Sequence, residues 1–328
     1  MSYINELNIG NLQLKTNVLL APMAGVTDLP FRNLCRSFGA SLAFSEMVTS
    51  DKTLWKSEKS RSRFNIRDEH SPIAVQIFGT NPEKMATAAK HAISLGADII
   101  DINMGCPAKK VCSKQAGVAL MKNQTLSEEI MATVVAASDN IPVTLKIRTG
   151  WDKNSKNAQA IAKIAERSGI SAITIHGRTK EDMYHGDIDY KTISEVKKTV
   201  SIPVIANGNI FTPEDAIKML EETKTDGIMI GRGSQGKPWI FNTIINALTN
   251  KKKSSKIDEL QILNIIIKHI RQNNNFYGDS HAARAIRKHL HWYCNNLSFG
   301  KKLWNSINKI DSSEKQIKIV ELYSAEIT

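Results

Sequence analysis

The sequence predicts a (β/α)₈ barrel followed by a small all-helical domain. Short apolar, β-branched runs alternate with helix-like segments eight times over the first 240 residues, and this alternation is typical of a parallel sheet covered by helices. Eight such repeats in about 230 residues match the count and the length of a barrel. A doubly wound open sheet is the main alternative, but no G-x-G-x-x-G follows the first strand.

Polar residues stand inside three of the predicted strands, which is unusual for a buried sheet. In chain order the strands are predicted at residues 17–22, 41–48, 73–79, 98–105, 143–150, 172–178, 204–209 and 227–233. Buried parallel strands are expected to be apolar throughout. Gln76, Lys146 and His176 break that rule, and such exceptions are expected at functional sites.

Two of the segments between strands show clear helix boundaries. Pro82 stands near the start of the segment 81–96, and Gly96 ends it. Thr212 is a predicted N-cap, followed by Pro213 and by acidic residues in the first turn. Both segments therefore predict helices that cover the sheet.

The pattern changes near residue 245, which divides the chain into a predicted barrel, residues 1–245, and a helical domain, residues 246–328. The polar, basic stretch 246–256 is predicted to be a linker or exposed turn, and helices are predicted at 258–272, 281–296 and 312–324. Residues 242–328 contain 14 Lys and Arg against 7 Asp and Glu, so they carry +7 of the net charge of +12. This charge favours a polyanionic partner.

Composition narrows the class of protein. Apolar residues make up 41% of the chain, and no apolar run reaches the roughly 18 residues that a membrane-spanning helix requires. The N-terminal stretch lacks the pattern of a secretory signal. The four cysteines show no spacing typical of a disulfide framework, which favours a reducing, cytoplasmic location. No obligate protein partner is evident.

The loops after the last two predicted strands are rich in glycine. In this fold, chemistry gathers at the carboxyl ends of the strands, and the loops after strands 7 and 8 often hold a phosphate group through backbone N–H groups. The candidates are Asn207, Gly208, Asn209, Gly231 and Arg232. Tight-turn chemistry is the alternative explanation, but two such loops on adjacent strands favour phosphate binding.

Lys146 lies in the middle of a strand, where an isolated ammonium group would be costly to bury. It either forms a structural ion pair with Asp101 or places its charge beside an electron-rich cofactor such as a flavin. Gln76 could bind the same edge of that ring. His176 alone would be read as a core residue, but with Lys146 and Arg178 nearby a ligand contact is favoured.

Cys106 follows a buried strand and stands between Gly105 and Pro107. A free thiol is mostly protonated at neutral pH, so it could act as a general acid or, with a base, as a nucleophile. A small buried hydrophobic residue is the alternative, although the flanking glycine and proline indicate a turn. Cys106 and Cys112 are six residues apart, and no Cys/His set has zinc-site spacing, so no metal site is predicted.

Together these motifs resemble the tRNA-dihydrouridine synthases, and most closely their bacterial B-type enzymes. The resemblance covers residues 15 to about 245 in order and extends less tightly to the basic helical domain. It rests on APMAGVTDLPFR, VQIFG, DINMGCP, LKIRTGW, IHGRT, IANGNI and IGRGSQGKPW. The family reduces the C5–C6 bond of uridines in the tRNA D-loop, using FMN in a (β/α)₈ barrel and NADPH as reductant; the sequence shows no nicotinamide motif that separates NADPH from NADH.

The resemblance also implies a role for each matching residue. Cys106 would protonate C5 after hydride transfer from the flavin to C6, Asn103 would position the uracil, and Arg178 would contact uracil or phosphate. The implied cofactor-binding residues are Pro22, Met23, Ala24, Gln76, Lys146, His176, Asn207, Gly208, Asn209, Gly231 and Arg232.

A uridine in folded tRNA must be extruded to reach a barrel mouth, so contacts to the RNA backbone are expected. Arg284 and Arg287 lie three residues apart on a predicted helix with Lys288 and His291. They are candidates for RNA docking, and a solvated face is the alternative. Two other functions remain: an FMN barrel that acts on a free pyrimidine, like the dihydroorotate dehydrogenases, and an RNA-binding protein that has lost catalysis.

Overall fold

The computed structural model describes residues 3–249 and 257–327. Ten strands are present in this part of the chain: β1 Leu7–Ile9, β2 Leu12–Leu14, β3 Val18–Leu20, β4 Val48–Thr49, β5 Ala74–Phe78, β6 Ile99–Met104, β7 Val143–Arg148, β8 Ala172–His176, β9 Val204–Asn207 and β10 Gly227–Ile230.

Nine helices accompany the strands up to residue 248: α1 Leu29–Ser37, α2 Glu58–Phe64, α3 Pro82–Ser94, α4 Lys109–Cys112, α5 Gln124–Ala137, α6 Ala158–Arg167, α7 Tyr190–Thr199, α8 Pro213–Thr223 and α9 Ile240–Leu248. Five more form the C-terminal region: α10 Glu259–Tyr277, α11 Asp279–Ala285, α12 Arg287–Cys294, α13 Gly300–Ile307 and α14 Ser313–Ile327. Among the described residues, no helix is long and apolar enough to cross a membrane.

The predicted (β/α)₈ barrel is confirmed. Strands β3 to β10 form one parallel sheet, in which β10 pairs with β3 as well as with β9. On the other side, the amide of Leu20 donates to the carbonyl of Leu42, and the amide of Ser45 donates to that of Ala74. Residues 41–49 therefore close the ring between β3 and β5.

The second predicted strand, residues 41–48, was too long. Only Val48 and Thr49 form a regular strand, while Ala43 and Phe44 make single bridges to opposite neighbours. The segment passes from one neighbouring strand to the other, so no continuous ladder forms along it.

A hairpin that the sequence analysis missed lies at the amino-terminal end of the barrel. Strands β1 and β2 pair in antiparallel fashion, and Leu7, Ile9 and Leu14 join the apolar cluster inside the barrel. Gly10, at a φ of 57°, is so close to Pro142 that a Cβ atom would lie 2.8 Å from its ring. The hairpin thus covers the barrel floor, opposite the carboxyl ends of the strands.

Local capping explains the helices that the sequence predicted. Asn81 caps α3, and Thr212 and Asp215 form a reciprocal capping box at α8. A second capping box, formed by Asp258 and Gln261, starts α10. These side chains satisfy backbone N–H groups that a helix leaves without partners.

The C-terminal region is helical as predicted, with three differences. Helix α10 continues to Tyr277, the predicted helix 281–296 is divided into α11 and α12 around Ile286, and α13 was missed. The predicted linker 246–256 begins inside α9, which ends at Leu248, a residue that is fully buried against the barrel. Residues 250–256 of the predicted linker lie outside the described residues. The boundary at 245 and 246 stays a prediction.

The helical region packs directly on the barrel. Leu34 of α1 belongs to the same apolar cluster as Ile266 of α10 and Leu290 of α12. A Cβ atom on Gly236 would lie 2.4 Å from the backbone of Trp292, so these two segments of the chain are in close contact. Helix α1 is therefore shared between the two cores.

Candidate active site

A cavity of about 480 Å³ opens at the carboxyl ends of the barrel strands. Thirteen of the residues singled out from the sequence line it: Pro22, Met23, Ala24, Gln76, Asn103, Cys106, Lys146, His176, Asn207, Gly208, Asn209, Gly231 and Arg232. Residues from seven βα loops or strand ends meet there because parallel strands end at the same rim.

A chain of hydrogen bonds fixes the polar floor of this cavity. The Gln76 amide nitrogen donates to Asp101 over 2.6 Å, and its oxygen accepts from Asn103 over 2.8 Å. Thr144 donates to the other oxygen of Asp101 over 2.6 Å. Strand register explains the set, since Gln76 stands beside Asp101. One N–H of the Gln76 amide is left for a ligand, because an amide nitrogen carries two hydrogens.

Lys146 stands beside Asn103 in the register of β6 and β7. Its ammonium group donates to the Asn207 side-chain oxygen over 3.0 Å, and no contact ion pair joins it to Asp101 among the described residues. Burial lowers the pKa of Lys146 to about 8, although Asp101 raises it. Burial raises the pKa of Asp101 to about 6, against the hydrogen bonds that it accepts and the charge of Lys146. Lys146 and Asp101 therefore do not form the direct ion pair that the sequence suggested.

The loop that presents Cys106 is held from three sides. The Asn103 side-chain oxygen accepts from the amide of Cys106 over 3.0 Å, and Arg148 donates to the carbonyl of Gly105 over 2.8 Å. Gly117 packs so closely that a Cβ atom would lie 2.6 Å from the carbonyl oxygen of Cys106. The thiol is thus fixed at the cavity wall.

Cys106 is half-buried, whereas the other three free cysteines are buried. Burial raises the pKa of the Cys106 thiol, and the nearby Arg148 lowers it by less. A protonated thiol that faces a cavity can donate a proton. The geometry fits this role better than that of a packed apolar residue.

The glycine-rich loops after β9 and β10 lie against each other at one end of the cavity. Asn209 adopts a φ of 46° and accepts from Arg232 over 3.3 Å. A Cβ atom on Gly233 would lie 2.1 Å from the carbonyl oxygen of Ile210. At Gly231, in contrast, a Cβ atom would come no closer than 3.7 Å to its neighbours, so this glycine leaves open space beside the arginine.

His176 and Asn207 complete the wall. Burial lowers the pKa of His176 well below its usual range, and the charges of Arg148, Lys146 and others add to the effect. The imidazole is therefore neutral, so one ring nitrogen donates and the other accepts; Nε2 lies 3.5 Å from the Arg178 guanidinium. The Asn207 amide nitrogen donates to the carbonyl of Met229 over 2.8 Å, which turns its oxygen towards Lys146.

Arg178 does not line the cavity. Its side chain is buried, and it donates to the carbonyls of His185 and Gly186. It therefore holds the loop after β8 in place. The contact of Arg178 with uracil or phosphate stays a prediction; the bonds described here tie its guanidinium to the protein.

Arg148 and Tyr184 are among the cavity residues that were not predicted as site residues. Arg148 also donates to the carbonyls of Thr179 and Met183, over 2.8 and 2.7 Å. The Tyr184 ring lies 5.4 Å from the guanidinium groups of Arg148 and Arg232. Arg148 could have been found from the sequence, because it follows Lys146 by two positions and so shares its face of the strand.

The two arginines predicted to dock RNA lie away from the cavity and differ from each other. Arg284 is exposed on α11, whereas Arg287 at the start of α12 forms an ion pair with Asp311 and is about one third exposed. The basic face that the sequence predicted is therefore only partly available to RNA, because Arg287 is paired with a carboxylate of the protein.

Comparison with known proteins gives a consistent result. Residues 19–327 match the family model of dihydrouridine synthase. The chain is 47% identical over 313 residues to tRNA-dihydrouridine synthase B of Pseudomonas syringae pv. tomato, covering 95% of this chain and 93% of the relative. It is also 47% identical to the protein of that name from Vibrio parahaemolyticus, over 97% of this chain and 98% of the relative.

Solved structures show the same barrel at much lower sequence identity. Morphinone reductase in complex with tetrahydroNAD matches 80% of this chain and 94% of its own with a TM-score of 0.55 and 12% identity. Histamine dehydrogenase from Rhizobium matches 82% of this chain and 50% of its own with a TM-score of 0.59 and 14% identity. At such identities these matches concern the fold alone.

Proposed function

The chain belongs to the dihydrouridine synthase family, and from this we infer that it reduces uridine in tRNA to 5,6-dihydrouridine. The match spans almost the whole chain, and the relatives that carry this name cover it at 45 to 47% identity. The observation that supports the activity best is that Cys106, Lys146 and Gln76 face one cavity at the barrel mouth.

We propose FMN as the cofactor, reduced by NADPH or NADH. The residues fit such a group. Lys146 presents a partly buried ammonium group, whose hydrogen bond to Asn207 leaves donors for an electron-rich ring. At the other end, the space beside Gly231 and the exposed Arg232 suit a phosphate group. Pro22, Met23 and Ala24 would line the ring through the backbone, and Gln76 and His176 would hydrogen-bond it.

When bound, the flavin supplies hydride to C6 of the uracil ring. The chain supplies the proton: the Cys106 thiol donates to C5, and the thiolate then regains a proton from solvent. The raised pKa of the thiol keeps it protonated at neutral pH, as a general acid must be. Asn103 holds the Cys106 loop and, as we propose, contacts the uracil; Arg148 fixes the same loop through the carbonyl of Gly105.

The substrate is proposed to be the D-loop of tRNA, which would place the reaction in the cytoplasm. The target base must leave the RNA fold to enter a cavity of this depth. The net charge of +12, of which +7 lies in residues 242–328, favours contacts of the helical region with phosphates. Arg284 is the better candidate, because Arg287 is paired with Asp311.

An FMN barrel acting on a free pyrimidine is not favoured, because the family match extends through the basic helical region as well as the barrel. Loss of catalysis is not favoured either, since Cys106, Lys146 and the glycine-rich loops are all intact at one cavity.

In the test, the purified protein is incubated with FMN, NADPH and tRNA, and the tRNA is taken from cells that lack this protein. Mass spectrometry of the tRNA is expected to show uridines gaining two mass units at D-loop positions, and the deletion strain is expected to lack them. A matched reaction offers free uracil or dihydroorotate instead. Turnover of the free pyrimidine without any change in the tRNA, or a folded protein that takes up no flavin, would overturn the proposal.

A further inference from the structure

A cluster of three buried ionisable side chains lies where the helical region meets the barrel, outside the cavity described above. Asp28 is the N-cap of α1, His269 lies on α10 and His289 lies on α12. One ligand atom of each, a carboxylate oxygen or a ring nitrogen, lies within 4.8 Å of the other two. Both histidines are completely buried, and Asp28 is 7% exposed.

Three ring nitrogens in this cluster have no hydrogen-bond partner among residues 3–249 and 257–327: Nε2 of His269 and both nitrogens of His289. The other nitrogen of His269 bonds the Tyr293 hydroxyl over 3.1 Å. Buried polar atoms are almost always satisfied, and an orphan of this kind costs about 1–3 kcal/mol. An imidazole whose two nitrogens are both buried and unpaired therefore calls for a bound group that the protein atoms do not supply.

The surroundings of the cluster favour neutral imidazoles and an added cation. Phe31 packs against both histidine rings, at centroid distances of 5.7 and 4.7 Å. Burial lowers the pKa values of both histidines, so their nitrogens keep the lone pairs that a metal requires. Asp28 accepts from the amide of Phe31 and the hydroxyl of Tyr277, and no Lys or Arg of the described chain forms a contact ion pair with it.

We propose that Asp28, His269 and His289 bind one divalent transition-metal ion of the zinc type. Two imidazoles and a carboxylate are a ligand set typical of zinc. A tetrahedral ion about 2.0–2.2 Å from each ligand atom holds the ligand atoms about 3.4 Å apart. The observed separations, all within 4.8 Å, would therefore have to shorten by up to about 1.4 Å when the ion binds. The Tyr277 hydroxyl, 3.2 Å from Asp28, or a water molecule would complete the coordination.

Such an ion would join three elements that are far apart in the chain. Asp28 begins α1 directly after the loop that contains Pro22, Met23 and Ala24, whereas the histidines belong to helices of the C-terminal region. The ion would fix the helical region against the loop that lines the cavity. It is thus structural and lies outside the reaction cavity.

The test measures metal in the full-length protein with its cofactor, purified without chelator or affinity-column metal. Elemental analysis is expected to find about one equivalent of zinc per chain. X-ray diffraction at the zinc absorption edge is expected to give an anomalous peak between the three side chains. Dialysis against a chelator should lower the melting temperature by several degrees, and added Zn²⁺ should restore it.

The variant His289→Leu separates a metal site from an empty apolar cluster. Leucine removes both unpaired nitrogens and keeps much of the volume, so without a metal the change should be neutral or stabilising. With a metal, the variant should lose the zinc and melt at a lower temperature that chelator no longer changes. The control His70→Ala, at an exposed position, should keep the bound zinc and the melting temperature of the wild type.

Two results would overturn the inference. One is a folded wild-type protein that holds less than about a tenth of an equivalent of metal and whose melting temperature does not respond to Zn²⁺ or Co²⁺. The other is a full equivalent of metal that stays bound in His289→Leu. The first measurement uses only the wild-type protein, so it gives an answer even where the variant folds poorly.

Discussion

At the scale of single residues, burial sets the protonation of the groups around the cavity. It raises the pKa of Cys106 and of Asp101 and lowers that of Lys146, since a low-dielectric environment disfavours the charged form. Burial therefore keeps the thiol protonated and shifts the pKa values of the carboxylate and the ammonium group towards neutral pH.

Replacing Cys106 by alanine should separate the two halves of the proposed reaction. Reduction of the flavin by NADPH should continue, because that step does not involve C5 of uracil. Reoxidation by tRNA should slow by about 10²-fold or more, which is the scale on which a general acid acts. Stopped-flow absorbance of the flavin measures both steps. Normal reoxidation in the variant would show that Cys106 is only a packed turn residue.

Asp101 should make the protein less stable as the pH rises from about 4 to about 6. Its pKa is raised from 3.8 to about 6 in the folded protein, so the native state holds its proton while the unfolded state has lost it. A difference of this size corresponds to about 3 kcal/mol of unfolding free energy, present at low pH and lost above the folded pKa.

The change Asp101→Asn should remove this dependence. Urea denaturation at several pH values is expected to show the wild type losing about 3 kcal/mol more than the variant between pH 3.5 and 6.5. Groups elsewhere contribute equally to both proteins and cancel in the comparison. Parallel curves for the two proteins would contradict the raised pKa.

At the scale of elements, the two loops after β9 and β10 act as one unit. Gly233 approaches the carbonyl of Ile210 too closely for any side chain, and Arg232 reaches Asn209 across the same gap. The proposed phosphate end of the cavity is therefore formed by a contact between neighbouring βα units.

The variant Gly233→Ala should lose flavin while the barrel remains folded. Its Cβ atom would lie 2.1 Å from a backbone oxygen, which forces the loops apart, and flavin content measured by absorbance should fall at least tenfold, or about 1.4 kcal/mol. The matched change is Thr212→Ala, which removes the N-cap of α8. It should lower the unfolding free energy by about 1 kcal/mol and leave the flavin content unchanged.

Equal flavin loss in the two variants would mean that general destabilisation, and not the contact between the loops, controls cofactor binding.

At the scale of the whole molecule, helix α1 contributes to the apolar cores of both the barrel and the helical region, and the net charge is distributed unequally between the two. Leu34 of α1 belongs to the helical core, so the helical region is more than an attachment to the barrel. Residues 242–328 carry an excess charge of +7 in the sequence, and this charge can attract the backbone of an RNA.

Arg284→Ala should weaken tRNA binding and lower the salt slope of log K by about 0.7–0.9, the effect of one phosphate contact. Asp311→Asn should release Arg287 from its ion pair and strengthen binding if that arginine also reaches RNA. Arg167→Ala, in the last turn of α6, is the control, because that end of the helix lies on the side of the barrel away from the cavity.

Filter binding at a series of salt concentrations measures all three variants. An unchanged affinity and slope in Arg284→Ala would show that this arginine is only part of a solvated face and that other basic residues hold the tRNA.

Local patterns in the sequence predicted the barrel and half of the residues that line the cavity. Short apolar runs and helix caps involve residues close together in the chain, so they are visible without a structure. Because parallel strands end at one rim, the polar residues Gln76, Lys146 and Cys106 could be assigned to one site from their positions alone. The hairpin β1–β2, whose strands have three residues each, was too short to be recognised in this way.

Tertiary structure decided which partners these side chains choose. Lys146 bonds Asn207 instead of pairing with Asp101, Arg178 turns into the protein, and Asp28 meets His269 and His289 from the far end of the chain. Spacing in the sequence reports only which face of a strand or helix a residue occupies. The direction of a long side chain and the contact between distant helices depend on packing over the whole molecule. No local sequence pattern predicts that packing.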